Sequence, residues 1–92
     1  MSQDRRFKDL KIRIEAGDIA EFREIFDTVP KTVVGYELLK NPARMEDLME
    51  NPEKVTVKDI YKISQIVKVK PGAIFDLTIK QYEKDLSTKS KT

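Results

Sequence analysis

Residues 30–54, PKTVVGYELLKNPARMEDLMENPEK, read as two short helices joined by a tight corner. Val34, Gly35 and Leu38 fall on one side of the first helix, and Met45 and Leu48 fall on one side of the second. Leu39 to Asn41 make the corner, and Gly35 lies on the inner face, where a missing side chain lets the second helix press close. The pattern predicts two helices crossing at a steep angle, with Val34, Leu38, Met45, Leu48, Ile60, Ile63 and Phe75 in one core.

Upstream of this stretch, Phe7, Leu10 and Ile14 recur at helical spacing, and Gly17 stands where a left-handed cap would end the helix. The same window also alternates as L-K-I-R-I, which leaves a strand open. D-I-A-E at 18–21 resembles a capping box and predicts a second helix from Asp18, buried through Ile19, Phe22, Ile25 and Phe26. That helix should stop near Thr28, because Pro30 disfavours helical geometry at Val29.

The third helix is expected from Thr28 or Pro30 to about Lys40. Asn41-Pro42 starts the fourth, since asparagine caps free amides and proline needs no amide partner in a first turn. Asn51-Pro52 ends it, with Met45, Leu48 and Met49 inward. Downstream, T-V-K-D at 56–59 is a second capping-box pattern, leading into Ile60, Ile63, Ile66 and Val67. V-K-P-G at 69–72 breaks that helix and opens a last one from Ala73 to about Leu86.

The whole is read as an all-α domain of five to six helices over residues 1–86, with 87–92 a polar, disordered tail. The last helix carries two apolar lines, Phe75, Ile79, Tyr82 and Leu86 beside Ile74 and Leu77. One core uses one stripe, so the second predicts a homodimer through this helix. The alternative is that the N-terminal helix covers it through Phe7, Leu10 and Ile14.

Composition removes several chemistries. With no cysteine and no histidine, disulfides, thiolate metal sites and hydrolases built on His or Cys are excluded. Glycines stand singly at 17, 35 and 72, so no phosphate-cradling loop exists. Asp59, Asp76 and the Glu46-Asp47 pair sit in no glycine-containing calcium loop. We therefore expect no enzyme, no cofactor and no metal. No apolar run approaches a signal core or a membrane span, and the chain opens M-S-Q-D-R-R-F, which predicts a cytoplasmic protein with no membrane partner. Charge is uneven: acids slightly outnumber bases up to Val55, whereas from Thr56 onward eight lysines face four acids.

From about Asp18 to Leu77 the order of short helices resembles the lambda-repressor-like (Cro-type, or XRE) helix-turn-helix domains. Their pattern has a Leu-Ala pair, a leucine three residues on, a glycine turn, and an isoleucine or valine in the recognition helix. Val34-Gly35 looks like the pair, Leu38 like the leucine, Asn41 like the polar cap and Met45 like the recognition-helix hydrophobe. I-Y-K-I-S-Q-I-V-K-V resembles the family's fourth helix with its closing valine, and the N-terminal helix is extra. The resemblance implies a small regulator that reads double-stranded DNA without chemistry. It further implies a DNA-facing set of Lys31, Thr32, Asn41, Ala43, Arg44, Asp47, Lys54 and Lys58.

Two positions depart from the family. Leu39 stands where it has glycine; a left-handed leucine costs on the order of 1 kcal/mol or more, so the turn is expected to differ locally. Glu46, Asp47, Glu50 and Glu53 lie on or beside the reading helix, and phosphates repel carboxylates. Five residues of the set therefore carry two readings. Lys31 and Thr32 hold a phosphate or form an ordinary solvated first turn. Arg44 reads a guanine edge or pairs with Asp47 one turn on. Lys54 and Lys58 contact phosphates or are solvated charge. The rival to DNA binding is a protein-interaction module that keeps the fold and has lost DNA reading.

Overall fold

The computed structural model describes residues 5–89. The described residues contain six α-helices and no strand: α1 (Arg5–Glu15), α2 (Ile25–Thr28), α3 (Lys31–Leu38), α4 (Pro42–Glu50), α5 (Val57–Val67) and α6 (Pro71–Lys89). One 3-10 turn, Phe22–Glu24, runs into α2, and a second, Pro52–Lys54, links α4 to α5.

Phe7 and Leu10 bury one face of α1 and Ile14 packs beside them, which decides L-K-I-R-I for helix over strand. Gly17 closes α1 at φ +81°, where the amide of Asp18 returns to the Arg13 carbonyl at 2.9 Å. The capping box expected at Asp18 does not form. Glu21 is extended at φ −137°, and helical structure begins only at Phe22. Its carboxylate is drawn instead to Lys84, 2.8 Å away on α6, and Glu24 caps the amide of Ala20 at 2.7 Å. The partner that overrides the local signal is 63 residues away in the chain. Ile19, Phe22 and Ile25 are buried as expected.

α3 is shorter than expected, ending at Leu38. Leu39 adopts φ 59°, ψ 42°, and the amide of Lys40 bonds the Gly35 carbonyl at 2.8 Å. The turn thus keeps the left-handed geometry despite the leucine, a correction to the expected local change. The bonds that close the helix end compensate the strain. Because Leu39 is 91% exposed, its side chain contributes little packing. Leu39→Gly is therefore expected to stabilise the protein by about 1 kcal/mol in urea unfolding, the size of the left-handed penalty. A loss of stability would show that the leucine makes contacts the fold depends on.

The Asn41 side chain accepts from the amide of Arg44 at 2.8 Å and Pro42 occupies the first turn, so α4 starts where expected. Thr56 and Asp59 form the reciprocal capping box of α5, with bonds of 3.1 and 3.4 Å. α5 ends at Val67, and Lys68 takes the second left-handed non-glycine position, φ 68°. α6 runs to Lys89, beyond the expected end at Leu86, so 87–89 are helical and not a disordered tail. Residues 90–92, the rest of that tail, and 1–4, the start of the expected domain, lie outside the described residues.

One core joins these elements: Phe7 and Leu10 of α1, Ile25 of α2, Val34 of α3, Met45 and Leu48 of α4, Ile60, Ile63 and Val67 of α5, Ile74 and Leu77 of α6. Of the other expected core residues, Leu38 is half-buried at its edge and Phe75 falls outside it, being 50% exposed. Ile74 and Leu77 already occupy the inward side of α6, and a residue one step along a helix points about 100° away from its neighbour. α6 serves as the central support, packing on α5 and on both 3-10 turns, while α1 packs on α2 and α5. Gln81 on α6 is fully buried; its Oε1 accepts from the amide of Arg23 at 2.7 Å and its Nε2 donates to the Met49 carbonyl at 2.6 Å. One side chain therefore ties α6 to the first 3-10 turn and to the end of α4.

Candidate nucleic-acid interface

α3 and α4 meet at Gly35, where a Cβ would lie 2.7 Å from Met45 Cγ and 2.9 Å from the Lys40 carbonyl oxygen. The absence of a side chain there sets how closely α4 approaches, and with it the position of the α4 amino end. Asn41, Pro42, Ala43 and Arg44 at that end are all exposed. Asn41 has already spent its side-chain oxygen on the cap, which leaves its amide group for other partners.

The cations expected to face DNA are gathered around α4, and each of three is held by a carboxylate. Lys31, in the first turn of α3, pairs with Glu46 of α4. Arg44 Nη1 donates to Asp47 Oδ2 at 3.1 Å. Lys54, at the end of the second 3-10 turn, reaches both Asp47 oxygens at 3.2 Å. Asn51 adds a third donor, its Nδ2 lying 2.9 Å from Asp47 Oδ1. The Lys54 hydrogen bond, helped by Asn51 and by the charges of Lys54 and Arg44, holds the Asp47 carboxyl below the usual carboxylate range. Asp47 is thus ionised throughout the neutral range, and its network contributes to stability above the ordinary aspartate pKa and is lost as pH falls through the lowered one.

Thr32 is exposed beside Lys31, and Lys58 is exposed in the first turn of α5. Lys40 turns the other way, its ammonium 3.5 Å from the buried Asp59 carboxylate. The structure therefore joins Lys31, Arg44, Asp47 and Lys54 through α4, leaves Thr32, Ala43 and Lys58 as open surface, and uses Asn41 first as a cap. Sequence reasoning placed Glu46 on this helix without pairing it with Lys31, and it missed Asn51 as a member of the site. The Arg44–Asp47 pair was legible from its spacing; Lys31–Glu46 and Lys54–Asp47 have separations, 15 and 7, that no local rule marks.

The fold and this surface define a small all-helical domain with a charged, carboxylate-balanced helix end. Family models, curated proteins and solved structures return no match to this chain. Among the described residues, no helix is long and apolar enough to cross a membrane.

Proposed function

We propose that this chain is a small, non-catalytic DNA-binding regulator of the helix-turn-helix kind, of bacterial or mobile-element type and acting in the cytoplasm. The observation that carries the reading is the α3–α4 pair: two short helices locked across Gly35, joined by a left-handed turn, with the amino end of the second exposed and cations on both sides of it. In this reading α4 enters the major groove. Lys31 and Thr32, Lys54 and Lys58 contact phosphates, and Arg44, with Asn41 and Ala43 beside it, meets base edges. Regulation follows from occupying the site or recruiting a partner there.

Binding to random duplex should weaken steeply with salt. Three phosphate-bound lysines give a slope of log affinity against log salt of about −2.7 per chain, at ~0.9 per neutralised phosphate. Lys31→Glu combined with Lys58→Glu should abolish retention. A wild type that retains no duplex at low salt, or binding that survives both reversals, defeats the reading. One observation favours a second reading: Lys31 and Lys54 are already spent on Glu46 and Asp47, as suits a protein-interaction module. The same salt titration separates the two.

The reading includes a two-fold pair of chains joined through α6, which would place two α4 helices on half-sites about one helical turn apart. Its support is the apolar line Phe75, Ile79, Tyr82 and Leu86, each of which remains exposed on the folded chain. With Pro52, Val55 and Ile60, the first three of these line a groove of about 320 Å³. Sedimentation equilibrium should show a dimer at micromolar concentration that Ile79→Lys with Tyr82→Lys dissociates without unfolding; a wild-type monomer rules the pairing out.

A further inference from the structure

We propose that Asp47 is the positioning residue for a guanine-reading Arg44, so that this carboxylate sharpens base choice where it would otherwise be taken only to oppose DNA. The inference rests on the DNA-binding reading above and deepens it.

The geometry has an order to it. Asp47 is half-buried and is itself fixed, with Asn51 Nδ2 at 2.9 Å on Oδ1 and Lys54 Nζ at 3.2 Å on both oxygens. Asn51 also donates to the Asp47 backbone carbonyl at 3.2 Å, so the anchor and the end of α4 are held by one side chain. Onto this anchor Arg44 places Nη1, 3.1 Å from Oδ2, while 43% of its side chain stays exposed. An arginine is a long, rotamer-rich side chain, and on an open helix surface it must be ordered by whatever it binds. Here one N–H is held by the protein, and the guanidinium, with five donors in a fixed plane, keeps a parallel pair of N–H groups for a ligand.

A parallel pair of donors selects among base edges. In the major groove guanine presents two adjacent acceptors, O6 and N7, whereas adenine places an amino donor beside its N7. A guanidinium fixed in one plane therefore favours guanine. The same carboxylate offsets the charge of Arg44 and Lys54, which lowers attraction for phosphates of any sequence. The acids of α4 thus do two things at once: Asp47 orients the arginine, and the pairing suppresses binding that is indifferent to sequence. An Asp47 that merely held the helix end together would change all binding equally. An Asp47 that merely repelled DNA would, when removed, raise all binding and leave base preference alone.

The test is selection of sites from a randomised duplex pool with the full chain, followed by titration of the selected duplex, its single-base replacements and random duplex. Wild type should enrich guanine at a fixed place in each half-site, and guanine to adenine there should weaken binding about tenfold. Arg44→Ala should lose that difference. Asp47→Ala should reduce it below about threefold while binding to random duplex holds or rises. Asn51→Ala, which loosens the anchor without changing charge, should also erode guanine preference, and thermal melting of both variants checks that they fold. If Asp47→Ala keeps full guanine discrimination, or loses selected and random binding in parallel, the positioning role is overturned and the DNA reading stands. If wild type retains no duplex at all, both fall together.

Discussion

Leucine in place of Gly35 is expected to lower stability by about 3 kcal/mol, the upper range for forcing a large side chain into a packed core. Glycine inside a helix normally costs ~1 kcal/mol relative to alanine, so on helix propensity alone even Gly35→Ala should help. Packing reverses the sign. The first added carbon would stand 2.7 Å from Met45 Cγ and 2.9 Å from the Lys40 carbonyl oxygen. Met45 is fully buried, so it cannot move aside into solvent, and the Lys40 carbonyl belongs to the turn that Leu39 already strains. Urea unfolding of Gly35→Ala and Gly35→Leu should therefore show loss in both, larger for leucine. Combining Gly35→Ala with Met45→Ala should cost less than the two single losses added together, because the side-chain clash goes while the carbonyl clash stays. A Gly35→Leu protein with an unchanged midpoint would mean that α3 and α4 do not meet at this residue.

Gln81→Leu should be about as damaging, at about 3 kcal/mol. Leucine fills a similar volume but leaves the Arg23 amide and the Met49 carbonyl without their partner, and each stranded buried group costs about 1–3 kcal/mol, less what the added apolar burial returns. Gln81→Glu gives a sharper check because its effect depends on pH. An ionised carboxylate accepts from the Arg23 amide but faces the Met49 carbonyl oxygen, while the protonated acid donates to that oxygen. The folded-state pKa of the introduced glutamate is thereby raised above its unfolded value of about 4.3. In that window the folded state binds more protons than the unfolded chain, so the variant should be weak at neutral pH and gain stability as pH falls toward ~4.3. A Gln81→Glu protein whose deficit does not change over that range would show that the Met49 contact contributes nothing.

Both expectations concern residues that sequence reasoning treated very differently. Gly35 was legible: a glycine on the apolar side of a short helix ahead of a corner signals close approach, and the structure puts Met45 against it. Gln81 gave no signal, since a glutamine in a charged, amphipathic helix reads as surface until the turn at Phe22–Glu24 and the end of α4 are brought to either side of it. Of the candidate site, the exposed amino end of α4 and the Arg44–Asp47 pair were readable from capping and spacing. That Lys31 and Lys54 would arrive already balanced by Glu46 and Asp47 was not.

Local punctuation is legible in the sequence alone. Asn41-Pro42 starts α4 and Thr56 with Asp59 starts α5, because the groups that satisfy a helix's first amides lie within three residues of them. Periodicity likewise identified the buried faces of α1, α4 and α5. Tertiary structure alone decided which competing local signal wins and which apolar stripe stays outside. Glu21 gave up a cap for Lys84, Leu39 accepted a left-handed backbone to let α4 turn back on α3, and α6 spent Ile74 and Leu77 on the core while Phe75 stayed half exposed. Such choices compare partners far apart in the chain. Their free energies, a few kcal/mol at most, match or exceed the local preferences they override and exist only once the helices have packed.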